Sequence, residues 1–238
     1  MKMKKKIFLI IAIILAVALI AGAVYYFAVV LPEQKKQEEL KKAIAQYRAD
    51  KLAVYQQENE QYADYEIDVA FLGDSLTDGY DLAKYYPQFK TANRGIGGDT
   101  THGLEDRLQI SVYDLKPKVA VMLIGANNMD TMFENYENIL IGLQKNLPDT
   151  KIVLVSLTSM GMDWGHKKQL AAYNNVTIRK LADKYGFTFV DMYTPLFDET
   201  TGQIRESYTT DGGHLTHEGY VVFTETLTPV LTALLTEE

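Results

Sequence analysis

The sequence predicts a three-layer α/β/α domain around a five-stranded parallel sheet, preceded by an N-terminal transmembrane helix and a spacer helix. Three observations lead there. Five short apolar runs are rich in β-branched residues, as strands buried on both faces are. Helical stretches separate them, which suits crossover connections. The segments richest in Gly, Asp, Asn, Ser and His follow the first, second, third and fifth of these strands, at one edge of the sheet.

The chain opens with Met1–Lys6, MKMKKK, followed by an uncharged apolar run of 25 residues, Ile7–Leu31. A helix of that length spans a hydrocarbon core of ~30 Å with some tilt. Lys2, Lys4, Lys5 and Lys6 place its start in the cytoplasm, and Tyr25 and Tyr26 fall near the outer end. Residues 1–31 are therefore expected to be a basic tip and a single-pass anchor, with the rest of the chain outside the cell. The alternative is secretion after cleavage near Ala21-Gly22-Ala23, but the apolar run continues well past that site. Residues 32–65 are rich in Glu, Gln, Lys and Ala and contain no Gly. They are expected to form a helical spacer whose stripe of Leu40, Ala43, Ile44, Tyr47, Val54 and Tyr55 docks partly on the domain. Residues 66–238 form that domain.

Its expected strands are Ile67–Leu72, Thr91–Arg94, Val119–Ile124, Ile152–Leu157 and Phe187–Asp191. Helices are expected near 82–86, 102–114, 132–146, 167–185 and 217–236. No internal repeat or low-complexity tract interrupts this order.

Composition narrows the function. The 238 residues carry 24 Lys+Arg against 31 Asp+Glu, and no Cys. Beyond Leu31 the balance is 20 basic to 31 acidic residues, a net charge of −11, which argues against nucleic acid as a partner. The lack of Cys removes disulfides, thiolate metal sites, a Cys nucleophile and a lipidated Cys. An exported chain without Cys suits a cell surface that does not rely on disulfides, as in many Gram-positive bacteria. His102, His166 and His217 have no second ligand at metal spacing, and His217 is expected on the surface of the last helix. Gly95, Gly97 and Gly98 do not form a dinucleotide fingerprint after a first strand.

The four strand-end segments carry the chemistry. Gly73-Asp74-Ser75-Leu76 places a Ser between a strand and a helix, where the helix N-terminus favours a developing anion. A Ser hydroxyl needs a base, and His214 is the obvious one. Asp211, three residues earlier, can reach the other ring nitrogen and fix the tautomer. A tetrahedral oxyanion needs preset donors: the Ser75 N–H, the Gly98 N–H in the Gly-rich Asn93–Thr100 loop, and the side-chain amide of Asn127. Asp74 and Asp78 are expected to shape the first turn.

These blocks resemble the SGNH hydrolases, also called GDSL-type lipases and esterases. The resemblance covers about Ile67 to Thr236. It rests on Gly73–Leu76, Asn93–Thr100, Gly125-Ala126-Asn127-Asn128 and Asp211-Gly212-Gly213-His214, followed by Leu215-Thr216 and Gly219-Tyr220. It implies a flavodoxin-like three-layer fold, a Ser75–His214–Asp211 triad, an oxyanion hole of Ser75, Gly98 and Asn127, and no cofactor or metal. Asn128 departs from the Asp that many members carry, and a neutral amide is expected to hold that turn. The expected substrate is a carboxylic ester, short-chain or acetyl, on a glycan. Lipid esters, acyl transfer to glycan hydroxyls and a non-catalytic binding module are the alternatives. Met129, Met160, Met162 and Trp164 are expected to line the substrate pocket.

Overall fold

The computed structural model describes residues 2–236. The side chains of residues 2, 4, 5, 10–14, 16 and 17 lie outside that description, and with them part of the expectation for the anchor. The chain divides into two compact units, one up to Asp50 and one from Lys51 onwards.

Helix α1 (Lys2–Tyr25) runs through a π-helical turn at Tyr26–Val30 into helix α2 (Leu31–Asn59), whose residues from Lys51 onwards belong to the second unit. The apolar side chains Phe8, Leu9, Leu15, Leu19, Ile20, Val24 and Phe27 are all exposed. The spacer helix ends at Asn59 rather than near residue 65, before the turn at residues 60–61. Of its expected docking stripe, Val54 and Tyr55 lie in the second unit, where Tyr55 is buried and Val54 is exposed. The part of α2 from Lys51 onwards, which belongs to the second unit, makes its contacts largely through polar groups.

The second unit contains β1 (Val69–Gly73), α3 (Ser75–Asp78), α4 (Leu82–Tyr85), β2 (Thr91–Gly95), α5 (Thr101–Asp106), β3 (Val119–Leu123) and α6 (Phe133–Asn146). It continues with β4 (Lys151–Val155), α7 (Lys168–Tyr185), β5 (Thr188–Val190), α8 (Tyr193–Leu196), the short hairpin β6 (Phe197–Asp198) and β7 (Gln203–Ile204), and α9 (His217–Thr236). Strands β1 to β5 form one parallel sheet in the order β2-β1-β3-β4-β5. This is the doubly wound order in which ligands sit at the β1/β3 switch point, beyond the carboxyl ends of the strands. Every residue of β1 and β3 is buried, as the continuous apolar runs require when both faces of a sheet are covered.

Helices α5, α6 and α7 pack in sequence, while α9 packs on β3 and α8. Helix α9 is long and apolar enough, by length and composition alone, to cross a membrane. Its Phe223, Leu227 and Leu231 belong to the core, which accounts for that hydropathy. The hairpin was not legible, because two-residue strands carry no periodicity. The single helix expected over 102–114 is split. Helix α5 stops at Asp106, and a π-helical turn follows at Gln109–Tyr113. Arg107 between them leaves helical geometry (φ −113°, ψ 8°) and turns its guanidinium into the protein.

Candidate active site

Strand β1 ends at Gly73, and the chain turns at once into α3. The Asp74 side chain caps that helix by accepting the Leu76 N–H at 3.2 Å. Ser75 is its first residue. Ser75 thus stands at a helix N-terminus as expected, but the helix has a single turn, so its dipole is small. Stabilisation of an anion there falls to individual N–H groups instead. Ser75 stays half-buried while Asp74 and Leu76 are buried. The Tyr220 hydroxyl of α9 donates to the Leu76 carbonyl at 2.8 Å and so braces this turn.

The segment before α9 brings Asp211 and His214 opposite Ser75. Ser75 Oγ lies 2.9 Å from His214 Nε2. Asp211 Oδ2 lies 2.7 Å from His214 Nδ1. Asp211 Oδ1 accepts the Gly213 and His214 backbone N–H groups at 2.9 and 2.8 Å. The carboxylate thus favours the tautomer with a proton on Nδ1, leaving the Nε2 lone pair for the Ser75 hydroxyl. Burial pushes the Asp211 carboxyl up, but the His214 N–H, the imidazole and the Gly213 N–H outweigh it and hold the group at about 2. Asp211 is ionised at neutral pH.

The donors beside Ser75 come from the loops after β2 and β3. Ile96 O accepts the Asp99 N–H at 3.1 Å, closing a four-residue turn with Gly98 at its third position. Gly98 has φ +77° and is exposed. That backbone marks a type II turn and favours glycine. Among the described residues, neither the Ser75 nor the Gly98 N–H has a protein acceptor. Asn127 Nδ2 donates one hydrogen to Asp99 O at 2.8 Å, which keeps it beside the Gly98 turn and leaves a second hydrogen for a ligand. Asn128 joins the same two loops: its Oδ1 accepts the Thr101 N–H at 3.2 Å and its Nδ2 donates to Thr101 Oγ1 at 2.9 Å. A neutral amide makes both contacts.

The expected pocket residues divide. Met129 and Met160 are 3% and 1% exposed and belong to the core, so they offer no surface to a substrate. Their runs are apolar because they pack inward, which sequence cannot separate from pocket lining. Met162 is exposed. Trp164 sets its ring edge-on to His214, with centroids 5.7 Å apart. The Lys167 ammonium lies 4.5 Å over that indole and donates to Ala126 O at 3.0 Å. His217 is on the surface of α9, bonded to the Tyr85 hydroxyl at 2.6 Å.

Three contributors were not singled out in the sequence. Arg107, 2% exposed, donates to Asp99 Oδ2 at 2.7 Å, to Arg94 O at 2.8 Å and to Gly73 O at 2.9 Å. It therefore ties β1, β2 and the Gly98 turn together. Asn93 Nδ2 donates to Thr77 O at 2.7 Å and its Oδ1 accepts the Gly95 N–H at 2.9 Å. The polar end of α2 is the third. A lone Arg in a helical stretch reads as a solvated cation, and only the split of that helix signals otherwise.

Comparison with known proteins agrees with this geometry. Residues 71–222 match the GDSL-like Lipase/Acylhydrolase family. Platelet-activating factor acetylhydrolase IB subunit alpha2 of Rattus norvegicus is 29% identical over 183 residues, which is 73% of this chain and 80% of its own. A solved structure from Streptococcus pneumonia, provisionally described as a platelet activating factor, superposes with a TM-score of 0.74 at 24% identity, over 83% of this chain and 99% of its own. A GDSL-like lipase from Bacteroides thetaiotaomicron gives a TM-score of 0.68 at 23% identity, over 76% of this chain and 97% of its own. The ordered strand-end loops, the sheet order and the family match together place the chain in the GDSL-like Lipase/Acylhydrolase family, as a carboxylic ester hydrolase.

Proposed function

We propose that the chain is a membrane-anchored serine esterase that removes short acyl groups, acetyl foremost, from esters outside the cell. The observation that carries the chemistry is the continuous Ser75–His214–Asp211 chain at 2.9 and 2.7 Å. In this mechanism His214 Nε2 takes the Ser75 proton as Oγ bonds to the ester carbonyl carbon. The carbonyl oxygen becomes an oxyanion held by the Ser75 N–H, the Gly98 N–H and the second hydrogen of Asn127 Nδ2. Asp211, ionised with its carboxyl at about 2, stabilises the imidazolium. The tetrahedral intermediate collapses, the alcohol leaves with the proton from His214, and an acyl-Ser75 ester remains. Water, deprotonated by His214, then cleaves that ester and restores Ser75.

Two observations support a small acyl group. Trp164 stands directly beside His214, and Met129 and Met160 are withdrawn into the core and offer an acyl chain no surface. A matched relative is named an acetylhydrolase. The anchor reading rests on the Lys cluster before Ile7 and on a helix whose described apolar side chains are exposed, the pattern of a helix that a bilayer covers.

The test uses the full chain in detergent with p-nitrophenyl esters from acetate to octanoate. The expected kcat/KM is highest for acetate and falls at least about tenfold by octanoate. Ser75→Ala should abolish turnover. A preference for octanoate would overturn the acyl assignment, and full activity of Ser75→Ala would overturn the mechanism. Protease added to intact cells should digest the domain from outside, whereas protection of the domain would contradict the orientation.

A further inference from the structure

The face of α2 formed by Lys51, Tyr55, Glu58 and Asn59 follows the spacing i, i+4, i+7, i+8 of one helical side. These residues lie outside the family match at 71–222, yet each bonds to a segment that shapes the site. Lys51 Nζ pairs with Asp78 Oδ1 at 2.5 Å, and Asp78 Oδ2 accepts the Gly97 N–H at 3.0 Å. Asp78 ends the helix that begins at Ser75, and Gly97 precedes Gly98 in the turn. One carboxylate thus spans nucleophile helix and oxyanion turn, with Lys51 holding it. The ion pair is partly shielded, at 31% and 15% side-chain exposure, so water screens it less than a surface pair.

The Tyr55 hydroxyl donates to Gly95 O at 2.5 Å, at the end of β2 just before the turn. The Arg94 guanidinium lies 4.7 Å from the Tyr55 ring centroid, pairs with Glu58 and donates to Asn59 Oδ1 at 3.0 Å. Gly95 leaves no slack here, because a Cβ on it would lie 2.2 Å from Asp78 N.

We propose that the end of α2 is a positioning element for the oxyanion turn, in which Lys51, through Asp78, and Tyr55, through Gly95, set the aim of the Gly98 N–H without touching substrate. This rests on the reading of Gly98 as an oxyanion donor. A donor displaced by a fraction of an ångström stabilises the transition state less while leaving the ground-state ester bound as before. The signature is therefore in kcat.

The test compares the full chain with Lys51→Met, Lys51→Arg and Tyr55→Phe. Two readouts are taken: p-nitrophenyl acetate kinetics and amide hydrogen exchange at Gly97. Lys51→Met should lower kcat about tenfold at constant KM and speed Gly97 exchange. Lys51→Arg should restore kcat to within about threefold, because it returns a cation to Asp78. Tyr55→Phe keeps the ring against Arg94, removes only the hydroxyl, and should lower kcat in the same way; it serves where Lys51→Met fails to fold. Unchanged Gly97 exchange in Lys51→Met would overturn the contact. Faster exchange with unchanged kcat, or a rise in KM alone, would overturn the positioning role. If Ser75→Ala keeps full activity, the mechanism fails, and that result is distinct because the exchange readout does not depend on turnover.

Discussion

Replacing Asp74 by Asn should stabilise the domain at pH 8 far more than at pH 5. Asp74 is 1% exposed, and its Oδ2 has no hydrogen-bond partner. Burial pushes its carboxyl from the usual 3.8 to about 7; the Leu76 N–H and the His214 side chain oppose this, and the nearby Asp99 adds to it. The folded group keeps its proton to about pH 7 while the unfolded one releases it near 3.8. This contribution to stability is complete below the unfolded value and is lost as the pH rises through 7. At about 1.4 kcal/mol per pH unit of difference, roughly 4 kcal/mol is gone by pH 8, and about 2–3 kcal/mol of that disappears between pH 5 and pH 8.

Asn keeps the cap, since its Oδ1 still accepts the Leu76 N–H, and it does not titrate. Any fixed packing cost of the exchange is the same at both pH values. The difference between variant and wild type should therefore grow by about 2–3 kcal/mol from pH 5 to pH 8, or roughly 5–10 °C in Tm for a domain of this size. Trp164 is the single Trp of the chain and sits against His214, so its fluorescence reports the thermal transition of this domain. An equal Tm difference at pH 5 and pH 8 would refute the reasoning.

Three further substitutions test the site. Gly98→Ala meets no atom within 4 Å, so its cost is conformational, about 1–2 kcal/mol; it should fold, with Tm a few degrees lower by differential scanning calorimetry, and lose at least about tenfold in kcat as the turn relaxes. Asp211→Asn should lower kcat by ~10⁴ under saturating ester. The wild-type contribution of Asp211 to stability should be present above pH 3.8 and fade as the pH falls through about 2, a step that an acid titration of the Asn variant should lack. Arg107→Met leaves the Asp99 carboxylate buried without its cation and should cost about 3–5 kcal/mol in urea unfolding, against near-zero cost if the pair were solvated.

The strands and the strand-end loops were legible because both are local. Continuous apolar runs mark strands covered on both faces, and Ser75, Gly98 and Asn127 sit within a few positions of a strand end. Asn127 and Asn128 follow β3 directly, and Asp211 and His214 share one turn. What escaped depends on distant partners. Arg107 splits an expected helix because its donors find Gly73, Arg94 and Asp99, and nothing in its own neighbourhood signals that. Tyr55 was expected to dock, but its bond to Gly95, 40 positions away, was not, and Lys51 bonds to a residue 27 positions away on a face that hydropathy reads as solvated. Met129 and Met160 fell on the wrong side because an apolar residue in a loop is as well suited to the core as to a pocket.

The central claim is that Ser75 becomes the acyl-carrying residue through His214. Treating the full chain with a fluorophosphonate and mapping the adduct by mass spectrometry tests it directly. The account predicts one adduct, on Ser75, at a rate that falls by orders of magnitude in His214→Ala. An adduct elsewhere, or labelling of Ser75 that does not depend on His214, would contradict it.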